Sequence, residues 1–538
     1  MSESNRAPSV DAGAWQATPK REWVQRAVLI AAVGFSFFIG LGGVPLFDKD
    51  EGAFCEATRE MVTSGNYLMP YMNGAPRYDK PILIYWLQAA GVKAFGLNEF
   101  AVRFPSAAAA AAWALATYLF VRRVLGADTA FLTTFLLVTA LQVTIIAKAA
   151  IADAVLNCFI AMTMFDFYSY LESGHRRFYY RAMVAMALGT LTKGPVAIMI
   201  PLASTLIFCL VQRDGKRWAR TFADWRGILL FLVIAAPWYV AAIIDQGRPI
   251  LEAWVLKQTL TRLNRPLEGH SGGFLYYVPV VLAGLMPYTT LLFKAAANLR
   301  TDLKSPLVRY MLIWFAFVFV FFSFSGTKLP HYVIYGYTGL FIVLAIQIQR
   351  LRHDFWLALP SIAMLALLLL VPHALPLISA RIKDGFARIV ISESVDKFDF
   401  HYLVPLLLAL IAVSGLALFR RIPRTAKIAV LGLVMTGIVN FHILPLAGQI
   451  TQVPIKEAAL LAKQRGYDVH LWKLNMPSFY FYREKIMPKN LDPEPRDVVL
   501  TKATLLRNCP DAEVIYEKNG IVMARLQSTA CLTEGTEK

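Results

Sequence analysis

Long apolar runs recur along the chain, and short basic clusters separate them. Thirteen runs can be drawn, at about 27–47, 100–121, 128–148, 154–171, 181–195, 196–212, 226–244, 274–295, 308–325, 332–348, 355–379, 401–419 and 427–447. About 20 apolar residues make a helix that crosses a bilayer, so each run is an expected span. The fifth is the weak one, because Tyr180 to Thr192 is short and Lys193-Gly194-Pro195 follows at once. It is kept as a short helix broken near Gly194-Pro195; without it every later basic cluster would change sides.

With the N-terminus on the cytoplasmic side, the cytoplasmic loops hold Arg122/Arg123, His175-Arg176-Arg177 with Arg181, the run Arg213 to Arg226, Arg300/Lys304/Arg309, Arg350/Arg352 and Arg420/Arg421/Arg424. Every one is net basic, which is the positive-inside pattern. Three outward segments are long. Asp48 to Glu99 contains two amphipathic stretches, Glu51 to Ser64 and Pro81 to Phe95, that read as helices lying in the membrane interface. Gln246 to Gly273 and Ala380 to Phe400 are the others. After the last span, residues 451–538 show a helix-like Ile455 to Arg465, strand-like Asp468 to Leu474 and Val498 to Thr501, and a hairpin from Glu513 to Leu526 turning at Asn519-Gly520. The expected organisation is therefore a cytoplasmic 1–26, a membrane domain 27–450 with a periplasmic loop 48–99, and a small periplasmic α/β domain 451–538.

Composition agrees. Of 538 residues, 57% are hydrophobic and 17% charged, against roughly 25% charged in soluble domains. Mean hydropathy is +0.50. A secreted domain or single-pass receptor is excluded, and the formal charge of +18 belongs to the loop clusters rather than to a nucleic-acid surface. The polar Met1 to Arg21 segment and the uncleavable first run predict that this run stays as the first helix. Of five cysteines, Cys55, Cys158 and Cys209 lie far apart with no ligand spacing. Cys509 and Cys531 fall on the outer, oxidising side, where the Asn519-Gly520 turn folds the chain back between them, and they are expected to pair.

Candidate chemistry gathers on that outer side. Asp48, Asp50 and Glu51 crowd at the end of the first run, and Asp153 sits in the turn between the third and fourth. Lys80 (in Tyr78-Asp79-Lys80-Pro81), Lys193, Lys328 (in Lys328-Leu-Pro-His-Tyr332), Arg59, Arg262 and Arg265 place positive charge where the topology rule disfavours it. A lipid-linked phosphate at the interface supplies a reason, since Lys and Arg are the usual partners of phosphate oxygens. Glu51, Asp79 and His270 are the candidate metal ligands: carboxylates suit a hard divalent cation, but no His spacing demands one and the cofactor stays unassigned.

Asp50-Glu51-Gly-Ala-Phe-Cys-Glu-Ala-Thr-Arg59-Glu60-Met61, Ser64-Gly-Asn-Tyr67, Tyr78-Asp-Lys-Pro81, Leu191-Thr-Lys-Gly-Pro195, Arg265 to Tyr277 and Lys328 to Tyr332 occur in that order. The set resembles the polyprenyl-phosphate-dependent glycosyltransferases of the GT-C fold. Within them it is most similar to the bacterial 4-amino-4-deoxy-L-arabinose lipid A transferases and the protein-mannosyltransferase-like group. The resemblance covers residues 27 to about 350. It implies an all-α polytopic membrane protein of about thirteen spans in the bacterial inner membrane, with its active site facing the periplasm.

The implied reaction is an inverting transfer of a sugar from undecaprenyl phosphate to a lipid or protein acceptor, lipid A foremost. Asp50, Glu51 and Asp153 then become the catalytic candidates, and Arg59, Tyr78, Lys80, Lys193, Arg262, Arg265, Lys328 and Tyr332 the lipid-phosphate partners. Ala53 and Phe54 stand where the arabinose transferases usually carry Arg and Tyr, and Asp79 where they usually carry Glu, which leaves the sugar and acceptor open. The rival is a flippase for lipid-linked sugars, which would place binding residues near the bilayer midplane in paired halves.

Overall fold

The computed structural model describes residues 19–254, 272–351, 353–419, 421–487, 493–507 and 509–528. Eight described helices are long and apolar enough to cross a membrane, or ten if each of two bent pairs is one crossing. The other three expected positions carry helices that are shorter or more polar: Pro19–Val33 continuing as a π-helical turn at Gly34–Phe38, Arg176–Lys193, and Val196–Val211. The expected first span, 27–47, is shifted. Its helix starts at Pro19 and ends at Phe38, because Gly40-Leu-Gly-Gly-Val-Pro45 cannot continue a helix.

The two bent pairs break for local reasons and meet each other. Ala127–Thr139 and Leu141–Lys148 turn by 64° at Ala140, whose backbone is extended. Phe274–Gly284 and Thr289–Ala297 turn by 116° around Pro287, which has no N–H to donate. The N–H of Leu141, freed by the first break, donates to the carbonyl of Met286 at the second (2.9 Å). Non-helical backbone at this depth is tolerable because protein satisfies it.

Asp153–Ser173 and Pro330–Arg350 are the enclosed helices; Asp153–Ser173 packs on Glu99–Leu125, Arg176–Lys193 and Val196–Val211. Trp225–Gln246, Phe355–Arg381 and Phe400–Leu418 leave most of their apolar side chains uncovered, as lipid-facing helices do. The first outer loop folds as Asp50–Ser64, a short ribbon of β1 (Tyr71–Met72) and β2 (Ala75–Pro76), and Leu83–Phe95, close to the two expected amphipathic helices.

The C-terminal region is a four-stranded sheet of β3 (Val469–Leu471), β4 (Val498–Lys502), β5 (Glu513–Lys518) and β6 (Ile521–Arg525), in the order β3-β4-β6-β5. β3 runs parallel to β4, and the other pairs are antiparallel. Alternation fills both faces. Leu500, Ile521 and Met523 pack on Ile455, Ala458 and Ala462 of the Val453–Arg465 helix, and Val499, Val522 and Ala524 pack on Trp472, Leu506 and Cys509. The expected hairpin turn lies at Asn519-Gly520, both with positive φ. Cys509 is disulfide-bonded, whereas Cys55, Cys158 and Cys209 are free thiols; Cys531 lies outside the described residues. Gly385–Ser394, in the third long segment, packs Phe386 and Ile389 under Gly520.

Candidate active site

Seven of the residues singled out above line two cavities: Asp79, Lys80, Lys193 and Tyr332 the first, and Asp48, Asp50 and Glu51 the second. The first, about 440 Å³, is lined by Asp79, Lys80, Lys193, Ser325 and an aromatic wall of Tyr239, Trp254, Phe321, Phe322, Tyr332 and Tyr335. It is a mostly apolar chamber holding two ammonium groups. Lys193 ends the Arg176–Lys193 helix, and Gly194 follows at φ 75°, ψ −141°, a conformation only glycine adopts readily. The break therefore turns the chain just where the lysine meets the cavity.

The Lys193 ammonium is held by neighbours. It donates to Asp153 Oδ1 (2.8 Å) and to the Tyr335 hydroxyl (2.7 Å), while that hydroxyl donates to the same Asp153 oxygen. It also lies 5.4 Å from the ring centroids of both Tyr332 and Tyr335, within cation–π range. Two of its three N–H donors are thereby used. Asp153 is buried, and its geometry makes it the anchor of Lys193. His331 Nε2 approaches the same carboxylate oxygen at 3.8 Å and lies within electrostatic range of Lys193, Asp50 and Lys80. Lys80 is half-buried and donates to the Asp79 carbonyl (3.0 Å).

A second cavity, about 350 Å³, is lined by Asp48, Lys49, Asp50, Glu51, Arg103, Lys148 and Asn440 among Leu41, Val44, Phe47, Ile145, Ile146 and Leu444. Asp50 is exposed. Glu51 is the opposite case: it is buried, and its carboxylate accepts Arg103 Nε and Nη2 (2.9 and 2.8 Å) and the N–H groups of Phe47 and Ala150 (2.8 and 2.6 Å). Four donors occupy it, so it ties elements together rather than offering oxygens to a metal or a substrate.

Other expected site residues are placed elsewhere. Arg59 forms a buried bidentate pair with Glu56 (2.8 and 2.7 Å) and lines neither cavity. Tyr78 donates to Gln246 Oε1 (2.7 Å). Lys328 is buried and donates to the Ser325 carbonyl (2.6 Å), beside the first cavity but not on its lining. Asp79 pairs with Arg77 (3.3 Å). Arg262, Arg265 and His270 lie outside the described residues. Among the described residues no group of three or more His, Cys, Asp or Glu is arranged to hold a metal.

The outer loop and the C-terminal sheet domain lock against each other beside the second cavity. Ser478 donates its N–H (2.9 Å) and its hydroxyl to Asp48, Tyr482 receives the Leu46 N–H (2.7 Å) and donates to Glu99 (3.1 Å), and Lys456 pairs with Glu99. Burial pushes the Asp48 carboxyl up to about 7, Glu51 adds to this, and the Ser478 hydrogen bonds oppose it.

Sequence reasoning passed over Arg103, Tyr335 and Lys148 as site residues. Arg103 had a signal, an arginine within an apolar span. Tyr335 had none, since an aromatic one turn after Tyr332 reads as core.

Residues 79–240 match the family described as dolichyl-phosphate-mannose-protein mannosyltransferase. An undecaprenyl phosphate-alpha-4-amino-4-deoxy-L-arabinose arabinosyl transferase of Shewanella sediminis is 30% identical over 319 residues, 57% of each chain. An uncharacterized protein of Aquifex aeolicus is 28% identical over 315 residues, 57% of this chain and 61% of that one. The chain thus spans about three fifths of the length of the curated relatives it matches. The crystal structure of ArnT from Cupriavidus metallidurans bound to undecaprenyl phosphate superposes with a TM-score of 0.79 at 20% identity, covering 96% of this chain and 99% of that one. The fold is that of ArnT. The apo crystal structure of the same ArnT agrees (TM-score 0.77, covering 94% of this chain), so the likeness in fold takes in residues beyond 350.

Proposed function

We propose that the chain is an inverting glycosyltransferase of the inner membrane, which moves a sugar from undecaprenyl phosphate to an acceptor on the periplasmic side. Lipid A is the acceptor and 4-amino-4-deoxy-L-arabinose or a related sugar the cargo. The observation that carries this reading is the first cavity: two lysines at the end of an aromatic, apolar chamber suit a phosphate on a polyprenyl tail, and ArnT, with the same fold, binds undecaprenyl phosphate. Thirteen crossings with the N-terminus inside put both cavities and the sheet domain in the periplasm, a reading supported by the basic loops.

In the reaction an acceptor oxygen attacks the anomeric carbon, the bond from that carbon to the phosphate oxygen breaks, and undecaprenyl phosphate leaves with the electron pair. Lys80 and Lys193 stabilise the charge gained by the phosphate, and the anchoring of Lys193 by Asp153 and Tyr335 means little reorganisation is needed. Asp50, exposed in the second cavity, accepts the proton of a hydroxyl acceptor, assistance worth ~10²–10⁴-fold. If the acceptor is a phosphate already ionised, Asp50 orients it or the sugar amine instead.

The test is binding of undecaprenyl phosphate to the purified full chain, with mass spectrometry of envelope lipids from cells with and without the gene. Lys80→Ala and Lys193→Met are expected to weaken binding at least tenfold, and Lys304→Ala, an exposed loop charge, to leave it unchanged. Unchanged binding in both cavity variants would overturn the donor assignment.

A further inference from the structure

Five cations stand close together where Val196–Val211 passes into Trp225–Gln246: Arg213, Lys216, Arg217, Arg220 and Arg226. All but the half-buried Arg217 are exposed, and among the described residues none of the five has a carboxylate partner. The two acids of the segment are taken up by backbone, Asp214 accepting the Arg217 N–H (3.2 Å) and Asp224 the Arg226 N–H (3.1 Å). The positive-inside bias accounts for the sign of these residues but not for their being unpaired. Other loops that read as cytoplasmic neutralise an arginine each: Arg122 pairs with Glu22, Arg350 with Asp302 and Arg424 with Asp354. Between the two long helices, Gly215–Phe222 turns its aromatic side to the bundle. Trp218 donates to the Thr205 hydroxyl (3.3 Å), and the Phe222 ring meets that of Phe167 edge-on (5.1 Å). Lys216 and Arg220, one turn apart, are left facing outward.

An apolar groove begins beside these charges. Trp225 is 65% exposed next to Arg226, the setting in which membrane proteins place an indole at the interface. Further along the same helix, Ala236, Pro237 and Ala241 leave a notch among the larger Leu232, Val233, Val240 and Ile244, with a volume of about 470 Å³. At 1.5 Å per residue the notch starts about 9 Å beyond Arg226. An acyl chain filling one leaflet, roughly 15 Å or half of the hydrocarbon core, reaches from a head group at Arg226 as far as Ala236. We infer that this end of the molecule is a binding site for an anionic phospholipid, with its phosphate on Lys216, Arg220 and Arg226 and one acyl chain in the groove. Unpaired cations call for a net negative head group and the notch for an apolar chain. A free anion leaves the notch unfilled, and a zwitterionic lipid brings its own ammonium to the cations. The site is remote from both cavities. Tyr179 donates to the Asp224 carbonyl (3.2 Å) at the charged end, and Tyr239 to the Thr190 carbonyl (3.0 Å) at the other, so Arg176–Lys193 and Trp225–Gln246 run side by side from the lipid site to the first cavity. The inference is independent of the transferase reading.

Native mass spectrometry of the delipidated full chain tests this with phosphatidylglycerol, phosphatidylethanolamine of the same acyl chains and glycerol phosphate as probes. Phosphatidylglycerol is expected to bind about tenfold more tightly than phosphatidylethanolamine, a preference that shrinks as salt is raised. The triple variant Lys216→Gln, Arg220→Gln, Arg226→Gln should lose the preference, and Arg220→Gln alone should reduce it about threefold. The double variant Arg300→Gln, Lys304→Gln, which removes exposed cations from the next loop that reads as cytoplasmic, should keep it. Ala236→Leu, which fills the notch, should weaken both phospholipids and leave their ratio unchanged. Melting temperatures in detergent equal to the parent's show that the variants fold. Equal binding of the two phospholipids, or the same loss of preference in the triple and the double variant, overturns the proposal, the second outcome leaving only the general charge of that face. Glycerol phosphate bound as tightly as phosphatidylglycerol overturns the lipid and leaves a simple anion site. A dimer that persists after delipidation and excludes phosphatidylglycerol overturns it as well, giving the face to a second copy of the chain.

Discussion

Arg103 uses all five of its N–H donors: two on Glu51, one each on the carbonyls of Leu41 and Pro45, and one on that of Val44. It is what fixes the glycine-rich turn after the first helix, and hence the approach to Asp50. Arg103→Met would leave Glu51 charged and buried, so a loss of about 3–5 kcal/mol of stability is expected, read as a large fall in the melting temperature of the purified protein. Glu51→Gln added to it should restore part; a fall no larger than that of Lys304→Ala would show the pair to be dispensable. Asp48 offers a pH test. Its carboxyl, raised to about 7 by burial, binds a proton in the folded state that an unfolded Asp has already released. Stability from this group is present below the unfolded pKa, falls as pH rises towards 7, and is lost above it. The melting temperature should therefore decline between pH 5 and pH 8, and Asp48→Asn, which still accepts from Ser478, should flatten that decline. An unchanged profile in the variant would remove Asp48 as its source.

The Asp50–Ser64 helix meets the sheet domain through a gap that only a glycine leaves open. A Cβ on Gly52 would lie 2.0 Å from Asp48 Oδ1 and 2.5 Å from the backbone nitrogen of Ser478, and a backbone neighbour cannot move without moving its turn. Gly52→Ala is expected to loosen the docking of residues 453–528, seen as faster tryptic cleavage there at unchanged expression. Gly415→Ala, in a helix with nothing within 4 Å, should behave like the parent. Equal proteolysis of all three proteins would mean that the turn yields at little cost. The same docking explains why the outer loop was legible only in part. Its two helices followed from their amphipathic pattern, and the i,i+3 spacing of Glu56 and Arg59 on the first of them offers a local ion pair, whereas the burial of that pair, which takes Arg59 away from the expected phosphate, is set by packing.

For the whole molecule, the alternation of apolar runs and basic loops predicts that Ser64→Cys and Lys304→Cys label from opposite faces of the membrane, in a background lacking the native free thiols. Labelling of both from one face would break the thirteen-span reading while leaving the observed helices intact. Helix positions, the break at Gly194-Pro195, the hairpin at Asn519-Gly520 and the concentration of lysines at one end of the helices were all readable from the sequence, because hydropathy, proline and glycine geometry and charge bias act within a few residues. What those charges do was decided by the tertiary structure. Glu51 and Arg103 are 52 residues apart, and Asp153 and Tyr335 182 apart; whether a carboxylate is a base, an anchor for a lysine or a staple depends on which distant helix brings a partner to it. The sequence therefore determined which residues could carry the chemistry and where along the chain they stand. Packing alone sorted Glu51 into an ion pair with Arg103, joined Asp153 to Lys193, left Asp50 open to a cavity and gave Lys148 no carboxylate partner among the described residues, since a buried charge takes its role from the nearest group that can satisfy it.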